Sequence, residues 1–178
     1  MSKFHPNPDR RSVRVCHVTT VHHVPDPRIF LKQCFSLNEH GYRVYVLVSG
    51  DGNGFHWGQL HPIRIGARDQ NRWRRLFFWP TIFGELKRID PDIIHFHDPE
   101  LIGVGLVLKS LGKKLIYDVH EDLPRQILFK HWIPGPARRA VALSASAAEK
   151  LAFRSFDAIV TATETIEKRF EGPRTATV

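Results

Sequence analysis

An α/β fold with a Rossmann-like, doubly wound parallel sheet is predicted by three observations. Short runs rich in Val and Ile recur along the chain, stretches with helical spacing separate them, and the runs are apolar at consecutive positions, as strands covered on both faces must be. Right-handed crossovers complete the winding and place the ligand crevice outside the carboxyl ends of the strands.

The first strand is "VRVCHVTT" (13–20), and the next is "YRVYVLVS" (42–49). Between them Asp26 and Pro27 supply an N-cap and a first-turn proline, Phe30, Cys34 and Leu37 recur at i, i+4, i+7, and Gly41 closes the helix. The unit repeats with "LHPIRIG" as a weaker strand, a helix from about Trp73 to Arg88, the strand "DIIHFH" and a helix from Pro99 to Gly112. "KKLIYDVH" is the next strand, followed by a Pro-rich loop. In the long helix over 137–156, Ala137, Ala140, Val141, Ser144, Ala148, Leu151 and Ala152 share one predicted face. The strand "DAIVTAT" and a helix from Glu164 to Phe170 come last.

A chain of 178 residues is enough for one domain with a real core, read here as residues 13–178 behind a polar tail of residues 1–12. With 42% apolar and 25% charged residues, the composition excludes wholesale disorder and a fibrous structure. The opening "MSKFHPNPDRR" lacks the apolar core of a secretory signal, and no run of 18 apolar residues follows, so a cytoplasmic location is expected. Cys16 and Cys34 fall in apolar patterns and read as buried thiols. The formal charge of +8 points to an anionic surface or ligand without saying which.

The chemistry-bearing residues collect at the predicted strand ends. Thr19, Thr20, His22 and His23 follow the first strand, Ser49 to Gly54 the second, His97 and Asp98 the fourth, His120, Glu121 and Asp122 the fifth, and Thr161 and Thr163 the last. His95 and His97 share a strand face by the period of two, the more interior His95 suiting a structural role. Each has a plainer reading: a strand-end histidine can bond a loop carbonyl, Asp98 before Pro99 is a helix N-cap, and Glu121 and Asp122 can be solvated loop charges. "SGDGNG" can approach a ligand closely or form a simple exposed turn.

No HExxH is present and the candidate ligands would have to converge from several loops, so no metal is expected. The first strand is followed by "TTVHHVPDPRIF" in place of GxGxxG, which disfavours a dehydrogenase. The basic aromatic run "RDQNRWRRLFFW" matches no recognised nucleic-acid module, and no nucleic-acid partner is expected. Its arginines and rings suit an anionic membrane surface, with folding of the rings onto the sheet as the alternative. Pro80 inside the pattern predicts a helix start or kink there.

The succession "HHVPDPRIFLKQCFSLNEHGYRVYVLV", "PDIIHFHDPELIGVGLVLKSLGKKLIYDVHEDLP" and "FDAIVTATETIEKRF" resembles the N-terminal domain of family 4 retaining glycosyltransferases, one half of the GT-B architecture, over roughly residues 13–178. The resemblance implies sugar transfer from a nucleotide-sugar donor to a glycan or lipid-linked acceptor, with retention of configuration and no metal cofactor. It implies that this half binds mainly the acceptor and that a C-terminal donor domain, absent here, supplies the other wall. His120 of "DVHED" matches the histidine lining the reaction centre. His22, His23, Arg28, His97, Asp98, Glu100 and Glu121 are the accompanying candidates for substrate binding. Two departures stand out: Glu-x7-Glu, the carboxylate pair of the family's second domain, occurs nowhere, and His22, His23 and Arg28 stand where many members have a glycine-rich loop. A non-catalytic module binding a phosphorylated ligand or a protein is the alternative.

Overall fold

A computed structural model describes residues 13–22, 24, 26–50, 60–67, 72–170 and 172–177, with the side chains of His61, Arg72 and Trp73 outside that description. His23 and the Asp51–Gly54 stretch of "SGDGNG" therefore lie outside the described residues. The fold is α/β, a Rossmann-like parallel sheet of seven strands with helices, as predicted. Contacts divide the chain into two compact units, residues 1–95 and 96–178.

In the first unit the strands β1 (Arg14–Thr19), β2 (Arg43–Ser49), β3 (His61–Gly66) and β4 (Ile93–Phe96) lie in the order β3-β2-β1-β4, the last residue of β4 crossing into the second unit. The order reverses between β1 and β4, the switch point at which such sheets open a crevice. Helix α1 begins at the predicted cap: the Asp26 carboxylate accepts from the N–H groups of Arg28 and Ile29, and Pro27 fills the first turn. Its first part, Pro27–Cys34, is π-helical, and the second, Phe35–Glu39, α-helical. The wider turn brings Ile29 together with Phe30 and Cys34 against Val44, Val46 and Val48 of β2, so the buried stripe differs slightly from the predicted i, i+4, i+7 row. Burial pushes both cysteine thiols well above their usual range, as inert core groups.

Residues 68–71 of the basic aromatic run lie outside the described residues; from Arg72 it forms α2 (Arg72–Arg75), a 3₁₀ turn (Leu76–Phe78) and α3 (Trp79–Ile89), with Pro80 in the first turn of α3 where its missing N–H costs nothing. Exposure is divided within it: Phe77 is 79% exposed, Phe78 and Trp79 are half-buried, and Arg75 is buried. Phe78 lies so close over Gly66 that any Cβ there would sit 2.3 Å from its ring. Arg14 ties the start of β1 to the end of α3 through Ile89 O (2.7 Å) and the Asp90 carboxylate (2.9 Å). Asp90 is in the left-handed region (φ 47°) that closes the helix, a conformation Asp adopts at modest cost.

The second unit holds β5 (Lys114–Val119), β6 (Ala158–Thr161) and β7 (Thr175–Thr177), paired in parallel in that order, with α4 (Ile102–Ser110), α5 (Leu123–Phe129), α6 (Gly135–Ser155) and α7 (Glu164–Glu167). A 3₁₀ turn, Pro99–Leu101, leads into α4. Helix α5 and strand β7 were not legible beforehand. The prolines that read as loop punctuation instead occupy first turns, Pro124 behind the Asp122 N-cap of α5 and Pro136 in α6.

The predicted face of α6 is corrected as well. Ala142, Glu149 and Ala152 are buried, whereas Ala140, Val141, Ser144 and Leu151 are exposed. An alanine-rich helix is apolar around most of its circumference, so spacing alone does not choose the inner face. Here Leu123, Ile127 and Ile133 choose it by packing on Ala142. No helix among the described residues is long and apolar enough to cross a membrane.

Candidate functional site

The site is built at the ends of β4 and β5, wholly from residues of the second unit. His97 follows β4 directly, while Asp118 lies inside β5 and His120 just past its end. Alternation along β5 sends Asp118 and His120 to one face. Three atoms converge: His97 Nδ1 stands 3.2 Å from His120 Nε2 and 3.4 Å from Asp118 Oδ2, and His120 Nε2 stands 3.5 Å from the same oxygen. The two imidazoles meet edge to face at 5.5 Å. The side chains of His97 and Asp118 are fully buried, and that of His120 is 16% exposed, so solvent reaches the cluster from the His120 side. Sequence reading named His97 and His120 but missed Asp118, although the period of two along "KLIYDVH" would have placed it beside His120.

A buried carboxylate against two imidazoles holds both rings in fixed orientation. His120 turns Nε2 toward the cluster. The three atoms also form the one side-chain arrangement in this unit suited to a metal ion among the described residues. Burial, and then the negative field of Glu149, Asp98, Glu100 and Asp118, pushes the Tyr117 hydroxyl well above its usual range.

The remaining candidates are placed as follows. Asp98 is buried at the N-cap position of the turn that opens with Pro99, yet its side chain makes no capping bond there. Glu100 is half-buried in that turn, and Glu121 is exposed. Asp122 is more than a solvated charge: it caps α5 and accepts from Arg169, whose other nitrogen reaches the buried Glu149. That network fastens the segment after His120 to α6, and neither Glu149 nor Arg169 carried a sequence signal.

In the first unit, the His22 N–H donates to Thr19 Oγ1 (3.0 Å) and its Nδ1 meets Asp26 Oδ2 (2.9 Å). Burial works to raise the Asp26 pKa, but bonds from the Ile29 N–H, His22 and the Arg28 N–H outweigh it and hold the carboxyl below its usual range. Arg28 is half-buried in the first turn of α1. Ser49, at the end of β2, donates to Thr20 O (2.6 Å), and the rings of His17 and His95 stack at 4.6 Å in the core, the structural place foreseen for His95.

Solved structures similar to this chain include GT-B glycosyltransferases. Sucrose-phosphate synthase from Thermosynechococcus elongatus superposes with a TM-score of 0.66 at 13% identity, over 93% of this chain and 47% of that one. HepE of Anabaena, solved in complex with UDP and glucose, gives 0.63 at 11% identity, over 93% and 44%. UDP-N-acetylglucosamine 2-epimerase from Rickettsia bellii gives 0.59 at 12%, over 94% and 44%. The chain thus spans about half the length of these structures and has the fold of one half of the GT-B architecture. Comparison with curated protein sequences finds no match. A family model, Glycosyltransferase Family 4, matches residues 28–173, and the chain belongs to that family.

Proposed function

We propose that this chain is the acceptor-binding half of a retaining glycosyltransferase that moves a sugar from a nucleotide-sugar donor to a glycan or lipid-linked acceptor. The observation that carries the reading is His120, at the end of β5 and braced by His97 and Asp118, in a chain of Family 4. Departure of a nucleoside diphosphate concentrates negative charge on the bridging oxygen, and preorganised donors stabilise it. In retaining transfer on one face the leaving phosphate itself accepts the acceptor proton, so His120 orients sugar and acceptor without serving as a general base. This chemistry draws on no metal cofactor. In this reading a second domain supplies the donor wall, and the chain spans about half the length of the similar structures.

The epimerase among the similar structures shows that the fold does not by itself choose transfer, so the test must read the reaction. A panel of nucleotide sugars is supplied to a two-domain form, with the 178-residue chain in parallel. Transfer is expected only from the two-domain form, and His120→Ala is expected to lower kcat by roughly 100-fold with a smaller rise in KM. Near-normal kcat in that variant would leave His120 with a structural role, and ligand binding without turnover in any form would favour the non-catalytic module.

Peripheral contact with anionic lipid on the cytoplasmic side is a second reading, favoured by the exposure of Phe77 beside the exposed Arg74. Phe78 and Trp79 are less suited to that contact than their sequence suggests.

A further inference from the structure

We propose that His97, Asp118 and His120 form a binding site for one divalent transition-metal ion of imidazole preference, zinc being the representative. The argument begins with distances. The separations from Asp118 Oδ2 to the two ring nitrogens, 3.4 and 3.5 Å, exceed the 2.7–3.2 Å usual for a protein hydrogen bond. Ligand atoms about 2.0–2.2 Å from a tetrahedral zinc ion stand about 3.3–3.6 Å from one another. With the nitrogens 3.2 Å apart, all three edges of the triangle fall within about 0.1 Å of that range.

Chemistry agrees with geometry. Two imidazoles and one carboxylate are a donor set for zinc and its first-row neighbours rather than for magnesium or calcium, which prefer oxygen. A dication held between the buried Asp118 carboxylate and two imidazoles would be attracted by the charge of that carboxylate. The rings are held by the ends of neighbouring chain segments that the core fixes, so the donors converge without folding around the ion. The His120 side chain is 16% exposed, so water could reach a fourth position on the ion.

Because the triad includes His120, a metal-loaded site withdraws that ring from sugar transfer, and zinc then acts as a reversible inhibitor. This last clause rests on the transferase reading, whereas metal binding does not.

The test is titration of zinc into the chelator-treated 178-residue chain, with cobalt absorption reporting coordination number. One ion per chain is expected, with an intense visible cobalt spectrum of the tetrahedral kind. Asp118→Asn and His120→Gln are each expected to weaken binding by at least about 100-fold, while His131→Ala, an exposed histidine outside the triad, leaves it unchanged. Should Asp118→Asn fail to fold, the half-buried His120→Gln carries the comparison. A flat titration, binding indifferent to His120→Gln, or a pale octahedral cobalt spectrum would overturn the proposal. Absence of turnover in the metal-free two-domain form would instead count against the transferase reading and leave the titration standing.

Discussion

Replacing Arg169 by methionine leaves Glu149 as a buried carboxylate without its cationic partner, and the cost can be bounded. Glu149 is 1% exposed, and Arg169 binds it while also binding Asp122 at 2.8 Å. Burial holds the Glu149 carboxyl above its usual value of 4.5, and Arg169 opposes that rise. In the variant the carboxylate can always escape by taking up a proton. From pH 7 this costs about 1.36 kcal/mol for each of the 2.5 units above 4.5, so the Glu149 part of the loss has a ceiling of about 3.4 kcal/mol. The Asp122 pair is partly exposed and adds at most about 1 kcal/mol.

A loss of about 2–3 kcal/mol at pH 7 is therefore expected, lowering Tm by roughly 5–10 °C in a chain of this size. Its pH dependence is diagnostic. A carboxyl whose folded pKa exceeds its unfolded value contributes stability that is fully present below pH 4.5 and is lost as pH rises through the folded pKa. At pH 5.5 the ceiling falls to about 1.4 kcal/mol, so the gap between wild type and variant should narrow by about 1 kcal/mol. Urea denaturation at the two pH values measures it. The double variant Glu149→Gln/Arg169→Met should recover part of the loss and lack this pH dependence. A gap of equal size at both pH values, or a double variant no more stable than the single one at pH 7, would refute the argument.

Two further predictions concern the frame of the site. Gly105→Ala in α4 would bring a Cβ within 2.5 Å of Phe156 and 3.1 Å of Phe96, both buried, so crowding of about 1–3 kcal/mol should exceed the helix-propensity gain of about 1 kcal/mol and lower Tm. Gly84→Ala in α3, with nothing within 4 Å, should show only the gain and raise Tm; equal shifts in both variants would contradict the packing account. At Asp157 burial tends to raise the pKa, but the Lys109 hydrogen bond, the Leu115 N–H and the Lys109 charge together lower it. Its contribution is thus present above pH 3.8 and lost as pH falls through the folded pKa. Asp157→Asn should cost less than about 1 kcal/mol near neutrality, and denaturation curves of variant and wild type should converge in acid.

What the sequence determined by itself was local. Valine-rich runs marked the principal strands, Asp26–Pro27 marked the start of α1, and the period of two put chemistry-bearing side chains at strand ends, because each of these signals depends only on neighbours along the chain. The tertiary structure decided which of those ends meet. His97 and His120 are 23 residues apart, and Asp118 joins them only once β5 is fixed in the fold. Glu149 reads as a surface residue in any window of α6 and is buried because Arg169, 20 residues further on, compensates its charge. The inner face of α6 was open for a related reason: alanine offers nearly the same surface in every direction, so the choice passed to Leu123, Ile127 and Ile133, the larger side chains packed beside it.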